Sequence, residues 1–411
     1  MSPASSHTNR REFLTRAAAT SFGLLASRSL LAADALRPTA DLLIPGKDKR
    51  LIVHSAQPFE IETPLELLGG APVTPIETLF VRNNQQPSWS PTLKPADAPN
   101  WTLQLAGLVE YPRIVPLAAL AEMPRVEHEM VLQCSGNGRA LFGRAAAVKG
   151  SPWEQGAVAN VRFRGVPLRA VLEKFDVRPH ATARFLTAEG QDSPTKETDA
   201  DFEHSLPLAD TLERSILAFE LNGQPLPAVH GGPLRLVTPG YYGTMHVKWL
   251  SRLRFEGRET VNHHQVKRYR TPLKPIEPGS QFDYGLENSE PNWNMKIKSV
   301  IFAPLDGQRI PAGRGTLSGV AWNDGVVRIE AVEWSASGGR TWQRSELEAP
   351  GSPYAWYRWQ ANLKLEPGEH KLMCRAVDRL GRTQPLDGSV GWNPAGYGWN
   401  GVQSITVTAI L

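Results

Sequence analysis

Cysteine is scarce in this 411-residue sequence, which contains only Cys134 and Cys374. Two thiols are too few for an iron–sulfur cluster, which needs about four cysteine ligands. The sequence also contains no Cys-x-x-Cys-His stretch, so we expect no covalently bound haem in this chain. A disulfide between the two cysteines is permitted outside the cytoplasm but is not required.

A hydrophobic run long enough for a membrane helix is also missing. The apolar stretch from Ala17 to Ala26 is too short to span a bilayer. It follows the pair Arg10-Arg11 and precedes a small-x-small site at residues 33–35. This order predicts a twin-arginine signal peptide over residues 1–35, with an ordinary amphipathic helix as the alternative. We therefore expect a periplasmic protein without a membrane anchor, folded around a complex cofactor before its export.

A strong excess of one charge is absent once this segment is removed. Residues 1–35 hold four arginines and two acidic residues, so the rest of the chain has 41 basic and 39 acidic residues. No run rich in lysine or arginine remains in it. We therefore expect no nucleic-acid partner.

Proline and glycine, in contrast, are plentiful. The 34 prolines and 35 glycines predict many turns and few long helices. Residues 36–280 mix short strands, such as 101–105, with short helices near 117–122 and 168–175. This mixture predicts an irregular α+β domain. The segment 271–294, with repeated Pro, Gly, Asn and Ser, is expected to be a connection.

The pattern changes in residues 281–411, where strands recur at roughly ten-residue spacing between Gly, Pro and Asp turns. The predicted strands are 297–302, 315–321, 327–335, 356–363, 369–376 and 402–409. Such spacing is typical of an all-β sandwich of immunoglobulin-like size. Cys374 lies in the alternating pattern of one strand, and we expect it to be inert core.

The densest polar cluster is a glycine-rich turn that follows a strand-like apolar run. It reads Val131-Leu132-Gln133-Cys134-Ser135-Gly136-Asn137-Gly138-Arg139. A thiol at a strand end with an arginine five residues on is biased towards thiolate, the form that binds soft metals. From spacing alone, an inert buried cysteine stays open as the alternative.

The part of this cluster from Leu132 to Arg139 resembles the cysteine motif of the sulfite oxidase family, and further motifs follow the family's order. They are Phe80-Val81-Arg82-Asn83-Asn84, Gly150-Ser151-Pro152-Trp153-x-x-Gly156-Ala157, Leu217 to Pro227, His230-Gly231-Gly232-Pro233-Leu234-Arg235 and Val247-Lys248-Trp249-Leu250. The similarity extends from about residue 75 to the C-terminus. It implies a molybdenum-molybdopterin domain over residues 36–280 and a dimerisation domain over residues 281–411.

The resemblance assigns roles to individual residues. Cys134 is implied as the molybdenum ligand, and Arg82 and Arg139 as the arginines whose guanidinium forks bind sulfite bidentately. Tyr269 corresponds to the family's active-site tyrosine and is expected to hydrogen-bond near the metal. Trp153 is expected to wall the pocket, with plain core packing as the alternative.

The pterin carries a terminal phosphate or nucleotide, so basic and imidazole donors should converge on it. The expected cofactor-binding residues are Asn84, Asp192, His230, Arg235, His246 and Lys248. For each basic residue the alternative interpretation is an ordinary charged side chain at the protein surface.

The sequence departs from the family's pattern in two places. Asn84 stands where the animal enzymes' pattern has histidine, which implies a weaker pterin contact there. The family also has a further arginine from its C-terminal domain, for which Arg358 is the candidate, within one residue of alignment.

The resemblance implies oxidation of sulfite to sulfate, with electrons passed to an external acceptor such as cytochrome c. We expect a homodimer or a complex with a cytochrome subunit. One alternative is an exported molybdenum reductase of methionine sulfoxide or a similar S- or N-oxide, which shares the cysteine but generally lacks the sandwich. A second alternative is an exported binding protein with an immunoglobulin-like module, which would contain no molybdenum.

Overall fold

A computed structural model describes residues 38–85, 87, 100–194 and 200–411. The predicted twin-arginine segment lies outside the described residues. Within them, no helix is both long enough and apolar enough to cross a membrane.

The first part of the chain combines short helices with small sheets. Its helices are α1 (Ala40–Leu43), α2 (Leu65–Leu68), α3 (Leu117–Ala121), α4 (Arg139–Phe142), α5 (Leu168–Lys174), α6 (Leu208–Arg214) and α7 (His263–Val266). Its strands are β1 (Ile52–Ala56), β2 (Phe59–Glu62), β3 (Val81–Arg82), β4 (Thr102–Gly107), β5 (Arg113–Pro116), β6 (Val126–Gln133), β7 (Val158–Pro167), β8 (Phe185–Gly190), β9 (Glu203–Pro207), β10 (Ile216–Leu221), β11 (Gln224–Pro225), β12 (Arg235–Val237), β13 (Leu250–Glu256), β14 (Arg270–Pro272) and β15 (Ser289–Pro291). The α+β prediction for this part is confirmed.

Three of these helices begin directly after a strand that ends in proline. Pro116, Pro167 and Pro207 close β5, β7 and β9 and precede α3, α5 and α6. Proline has no N–H to continue a strand ladder, and its fixed φ suits the entry to a helix. The predicted helices at 117–122 and 168–175 are therefore found within one residue at each end.

Two five-stranded sheets, one three-stranded sheet and the two-stranded pair of β14 and β15 form the described first part. The orders of the three larger sheets are β11-β10-β7-β6, with β12 also pairing β10, then β5-β4-β13-β8-β9, and β1-β2-β3. One large core fills the space around the second sheet. A separate core packs against β6 and β7 and contains Cys134 and Trp153, so the cysteine motif begins at the buried C-terminal end of β6.

The second part is a β-sandwich. Its strands are β16 (Lys298–Ala303), β17 (Arg309–Pro311), β18 (Gly313–Trp322), β19 (Ile329–Ser335), β20 (Gln343–Arg344), β21 (Glu346–Glu348), β22 (Tyr357–Leu365), β23 (Gly368–Asp378) and β24 (Gln403–Ile410). They form the sheets β16-β18-β22-β21 and β17-β24-β23-β19-β20. Along β22 buried and exposed residues alternate strictly, as expected of a strand with one face on the core. All six predicted strands are found, with their ends within two residues.

The predicted connection at residues 271–294 is only partly correct. Its two ends pair as β14 and β15, with Thr271 opposite Glu290. Two buried arginine hydrogen bonds fix this pair, because Arg270 donates from Nε to the Ser289 hydroxyl at 2.9 Å and from Nη2 to the Ser289 carbonyl at 2.6 Å. Polar composition suggested a loop, but these tertiary contacts order it.

The two parts share a buried apolar cluster that includes Val131 of β6 and Trp322 and Trp356 of the sandwich. Within it, Trp322 donates from its indole N–H to the side-chain oxygen of Gln133 at 2.7 Å. Gln133 is the residue before Cys134. The sandwich therefore supports the end of β6 from behind.

Candidate active site

The Cys134 turn begins where β6 stops. The Cys134 N–H donates to the Ala157 carbonyl at 2.9 Å, and the Asn137 N–H returns to the Cys134 carbonyl at 3.0 Å. The Gly136 N–H points at the Cys134 sulfur at 3.4 Å. Burial raises the pKa of the thiol, while Arg82 and Arg139 act in the opposite direction. A soft metal cation at the sulfur would replace the missing solvation of a thiolate here.

Arg139 begins α4 and is held in place by carbonyl groups from two sides. Its Nε donates to Ala395 at 3.0 Å and its Nη1 to Ser151 at 3.0 Å. Gly396, with φ +62°, allows this approach, since a Cβ there would lie 2.5 Å from Arg139 Cγ. Within the described residues Arg139 Nη2 has no protein acceptor, so it can bind an anion.

Arg82, Asn84 and Tyr269 form one hydrogen-bonded group. The side-chain oxygen of Asn84 accepts from Arg82 Nη2 at 3.1 Å and from the Tyr269 hydroxyl at 3.1 Å. Arg82 Nη2 also lies 3.3 Å from the Tyr269 hydroxyl, and Arg82 Nε lies 3.3 Å from Glu60. The two residues expected to contact substrate are thus tied together by a third, which was expected to contact the pterin.

The orientation of the Asn84 amide follows from His264. His264 Nε2 lies 3.2 Å from the Ala200 carbonyl, so this nitrogen carries the proton and donates. Nδ1 is then the acceptor for the Asn84 amide nitrogen at 3.4 Å. Burial lowers the pKa of His264 to about 4, which keeps the ring neutral. The Asn84 oxygen is consequently turned to Arg82 and Tyr269.

Tyr269 has an unusual backbone, with φ at +54°. Bulky residues rarely adopt this conformation, and such strain persists where the surroundings enforce it. Its carbonyl accepts from the Asn292 N–H at 2.8 Å, and Arg270 beside it is anchored to β15. The next element therefore forces the tyrosine ring into the site.

Buried basic residues gather on the other side of Cys134. Arg235 donates to the carbonyls of His246 and His230, each at 3.0 Å. Lys248 Nζ donates to Asn83 Oδ1 at 2.6 Å, and Lys47 Nζ lies 3.0 Å from His230 Nε2. When Lys47 is charged it can only donate, so His230 Nε2 is then the acceptor and the His230 proton lies on Nδ1.

Burying these positive charges costs free energy unless an anion balances them. Burial lowers the pKa of Lys47 to about 7, of Arg235 to about 9, and of Lys248 well below its usual value. Asp192 is the carboxylate that acts on Lys248, and burial raises the pKa of Asp192 itself to about 7. A buried group of cations with so little opposing charge is suited to a multiply charged anionic ligand.

Arg235, Lys248 and Asp192, though not Lys47, line a cleft with about 680 Å³ of empty space, part of it open to solvent, which we call the inner cavity. It is lined by Phe80, Arg82, Asn83, Asn84, Leu132, Cys134, Asp192, Phe202, His230, Arg235, Gly243, Thr244, His246, Lys248, Trp249 and Tyr269. Two buried polar atoms on its wall, Asn83 Nδ2 and His246 Nδ1, have no hydrogen-bond partner in the described part of the chain. Unpaired buried donors and acceptors beside cations fit a heterocyclic anion such as a pterin phosphate.

A second, wider opening meets the inner cavity at Arg82 and Tyr269, which line both. We call it the funnel. It holds about 2090 Å³ of empty space, part of it open solvent, and its lining includes Glu60, Arg139, Lys149, Arg268 and Tyr397. Basic side chains outnumber acidic ones along this wall, so the funnel favours anions.

Most of the predicted site residues come together. Cys134, Arg82, Tyr269 and all six expected cofactor-binding residues line the inner cavity, and Arg139 lines the funnel beside them.

Two predicted residues lie elsewhere. Trp153 lines neither space: its ring is fully buried and packs edge-on against His54 at 5.0 Å. Arg358 is exposed on β22 and lines a separate groove with Trp356 and Gln360.

Sequence reasoning missed three residues of the site. Asn83 lies within the motif from Phe80 to Asn84 but was assigned no role there. Lys47 precedes the first motif and carries no local signal. Tyr397 comes from the second part of the chain, and its ring lies 5.2 Å from that of Tyr269 with 24° between the ring planes. Only tertiary structure brings these side chains together.

Two known domain families match the chain. One is described as "Oxidoreductase molybdopterin binding domain" and matches residues 90–264. The other is described as "Mo-co oxidoreductase dimerisation domain" and matches residues 289–408. The first contains the Cys134 turn and Arg235 and Lys248 of the basic cluster but not Lys47, and the second contains the sandwich and Tyr397.

Individual proteins match both parts together. The mitochondrial sulfite oxidase of Rattus norvegicus is 34% identical over 362 residues, which cover 86% of this chain and 64% of that protein. The sulfite oxidase of Gallus gallus is 32% identical, with 86% and 76% covered. The structure of the sulfane dehydrogenase SoxCD from Paracoccus pantotrophus superposes with a TM-score of 0.72 at 27% identity, over 88% of this chain and 89% of that one.

Proposed function

The chain belongs to the sulfite oxidase family of molybdopterin oxidoreductases, and from that premise we propose that it oxidises sulfite to sulfate and passes the electrons to an external acceptor. The observation that carries the proposal is the junction of two spaces at Arg82 and Tyr269, one suited to a cofactor and one open to anions. The chain spans 64% of the length of the rat enzyme. The activity of that whole enzyme is therefore a proposal for this chain.

In this proposal a molybdenum-molybdopterin cofactor occupies the inner cavity and supplies the two-electron redox chemistry when bound. Cys134 is its protein ligand. Lys47, Arg235 and Lys248 neutralise the phosphate, and His230 and His246 offer ring nitrogens to the pterin. Asn83 and Asp192 are further polar contacts on the same wall. An anion that restores the lost solvation of these cations would also raise their pKa values back towards normal.

Sulfite would bind at the junction. Arg139 contributes Nη2, which has no acceptor in the described part of the chain, and Arg82 adds positive charge to the same funnel. Their guanidinium groups are fixed by hydrogen bonds before substrate arrives, so little ordering is needed on binding. Tyr269, held by Asn84, provides a hydroxyl that can hydrogen-bond an oxygen of the anion. Oxidation of sulfite with water gives sulfate, two protons and two electrons.

We further propose a periplasmic location after twin-arginine export, an acceptor such as cytochrome c, and a homodimer or a complex with a cytochrome subunit. The match to a dimerisation domain over residues 289–408 supports the assembly. The acceptor follows from the expected absence of haem in this chain.

A sulfane sulfur is a second candidate substrate. The structural relative SoxCD is a sulfane dehydrogenase, and the sandwich contributes Ala395 and Tyr397 to the funnel rather than an arginine. The residues that the sandwich contributes to the funnel are uncharged, and a wide funnel admits a larger molecule than sulfite.

One experiment tests metal and reaction together. Purified protein of measured molybdenum content is assayed with sulfite and with thiosulfate, using cytochrome c and ferricyanide as acceptors. Sulfite-dependent reduction of either acceptor in proportion to the molybdenum content supports the proposal. Turnover of thiosulfate but not of sulfite would favour a sulfane sulfur as the substrate. Protein that ignores both and reduces methionine sulfoxide would be a reductase, and protein free of molybdenum would point to a binding protein.

A further inference from the structure

A loop of the sandwich covers the Cys134 turn. We define it as the 392–399 loop. The Gly398 N–H donates to the Ser135 carbonyl at 2.8 Å, and the Pro394 carbonyl accepts from the Lys149 N–H at 2.9 Å. The Trp392 indole donates to the Ala146 carbonyl at 3.1 Å. These bonds, with that from Arg139 to Ala395, fix the loop against the first part of the chain on both sides of the funnel.

Tyr397 is the aromatic residue that this loop places against both Tyr269 and Arg139. Its ring stacks on Tyr269 on one side. The Arg139 guanidinium carbon lies 5.3 Å from the ring centroid, within cation–π distance. The residue is 7% exposed and lines the funnel. A single side chain from the second part of the chain therefore touches both Tyr269 and Arg139.

The hydroxyl of Tyr397 is available to a ligand. Within the described residues it makes no hydrogen bond to protein, although a buried phenol usually finds a partner. The charges of Arg139, Arg82 and Arg268 act on it. Burial nevertheless raises the pKa of Tyr397 above its usual value, so the group remains a donor. A donor surrounded by guanidinium groups is complementary to a small oxyanion.

We propose that Tyr397 is a substrate-contacting residue, whose hydroxyl donates to an oxyanion at the junction and whose ring holds Tyr269 and Arg139 in place. This rests on the proposed oxidation of a sulfur oxyanion. The sandwich then completes the anion site with a neutral donor, where Arg358 was expected to add a charge. A neutral donor distinguishes anions by hydrogen bonding and shape rather than by charge.

The test is equilibrium binding of sulfate, the product anion, to the molybdenum-containing protein by isothermal titration calorimetry, with sodium chloride keeping the ionic strength constant. Tyr397→Phe keeps the ring and removes the hydroxyl. We expect its sulfate dissociation constant to rise by about tenfold or more, as for a lost hydrogen bond to a charged partner. Tyr357→Phe, in the core of the same sandwich, is the matched control and should bind sulfate as the wild type does.

Steady-state kinetics distinguishes the role of the Tyr397 hydroxyl from that of its ring. Tyr397→Phe should raise the sulfite KM with little change in kcat, whereas Tyr397→Ala should also lower kcat because Tyr269 and Arg139 lose their packing. A purely structural role would change the thermal midpoint but not sulfate binding by the Phe variant. Unchanged sulfate binding in Tyr397→Phe, or no sulfate binding by the wild type, overturns the inference. Wild type that binds sulfate but does not oxidise sulfite contradicts the proposed function instead, and the binding comparison still decides the role of Tyr397.

Discussion

The Tyr269 hydroxyl donates to the Asn84 side-chain oxygen at 3.1 Å, and the same oxygen accepts from Arg82. One amide therefore sets the distance between the two groups proposed to contact substrate. The amide is itself oriented by His264. Removing the Asn84 amide would free Arg82 and Tyr269 to move and would leave Cys134, the proposed metal ligand, unchanged.

We accordingly predict that Asn84→Ala lowers kcat/KM for sulfite. Two hydrogen bonds in a part-buried site are lost, which costs about 1–3 kcal/mol and corresponds to roughly a five- to hundredfold decrease. Molybdenum content should remain at the wild-type level. The control is Asn362→Ala, at an exposed position of β22. Wild-type kinetics in Asn84→Ala would show that Arg82 and Tyr269 do not depend on this amide.

The sequence predicted regular, local features well. The sandwich strands were found because they recur at roughly ten-residue spacing between Gly, Pro and Asp turns, and in β22 buried and exposed residues also alternate. The segment 271–294 was less well predicted. Its strands are held by Arg270 and Ser289, whose contact depends on tertiary structure rather than on a local pattern.

The site divides in the same way. Cys134, Arg82 and Arg139 could be identified because each lies in a motif. Trp153 also lies in a motif, yet its ring packs behind the turn, because a motif marks a position and not the direction of a side chain. Tyr397 lies in the sandwich, 128 residues from its stacking partner Tyr269. Its role depends on how the two parts of the chain dock.

The two cysteines offer a matched pair for testing the metal ligand. Cys134→Ser should leave a folded protein with much less molybdenum and no sulfite-dependent reduction of cytochrome c. Cys374→Ser should retain both, since Cys374 is fully buried in the sandwich and burial raises its pKa to about 12. Elemental analysis and turnover are measured on the same samples. Full molybdenum content in Cys134→Ser would remove this residue from the metal.

Lys298 predicts a pH dependence of stability. It is buried at the start of β16, its Nζ has no hydrogen-bond partner in the described part of the chain, and burial lowers its pKa to about 7 despite the opposing effect of Glu62. An unfolded lysine has a pKa of about 10.4, so between about pH 7 and 10 the unfolded chain binds more protons than the folded one. The free energy of unfolding should therefore rise with pH in this window, by up to about 1.4 kcal/mol per pH unit from this residue.

Lys298→Met should flatten that rise, because it removes the group that gains a proton on unfolding. Urea unfolding at pH 7, 8 and 9 gives the slope for each variant. Lys371→Met, at an exposed position of β23, should leave the slope as in the wild type. An equal slope in wild type and Lys298→Met would mean that this lysine keeps an ordinary pKa in the folded protein.

Glu60 lies on the funnel wall, where its carboxylate lies 3.3 Å from Arg82 Nε and also accepts a hydrogen bond from Ser151. A negative charge there opposes the entry of a dianion. Glu60→Gln removes the charge but keeps an oxygen for Ser151, so we expect the sulfite KM to fall. For a dianion about 10 Å away and an effective dielectric of about 40, the lost repulsion is on the order of 1–2 kcal/mol, or roughly five- to thirtyfold.

The decrease should also depend on salt. Screening weakens interactions between partly exposed charges, so the KM difference between Glu60→Gln and wild type should shrink as sodium chloride rises from low ionic strength to about 1 M. Glu346→Gln, on exposed strand β21 of the sandwich, is the control and should leave KM unchanged at every salt concentration. A higher KM in Glu60→Gln would reverse the interpretation: the carboxylate would then matter chiefly because it holds Arg82 in position, and the charge balance of the funnel would be secondary.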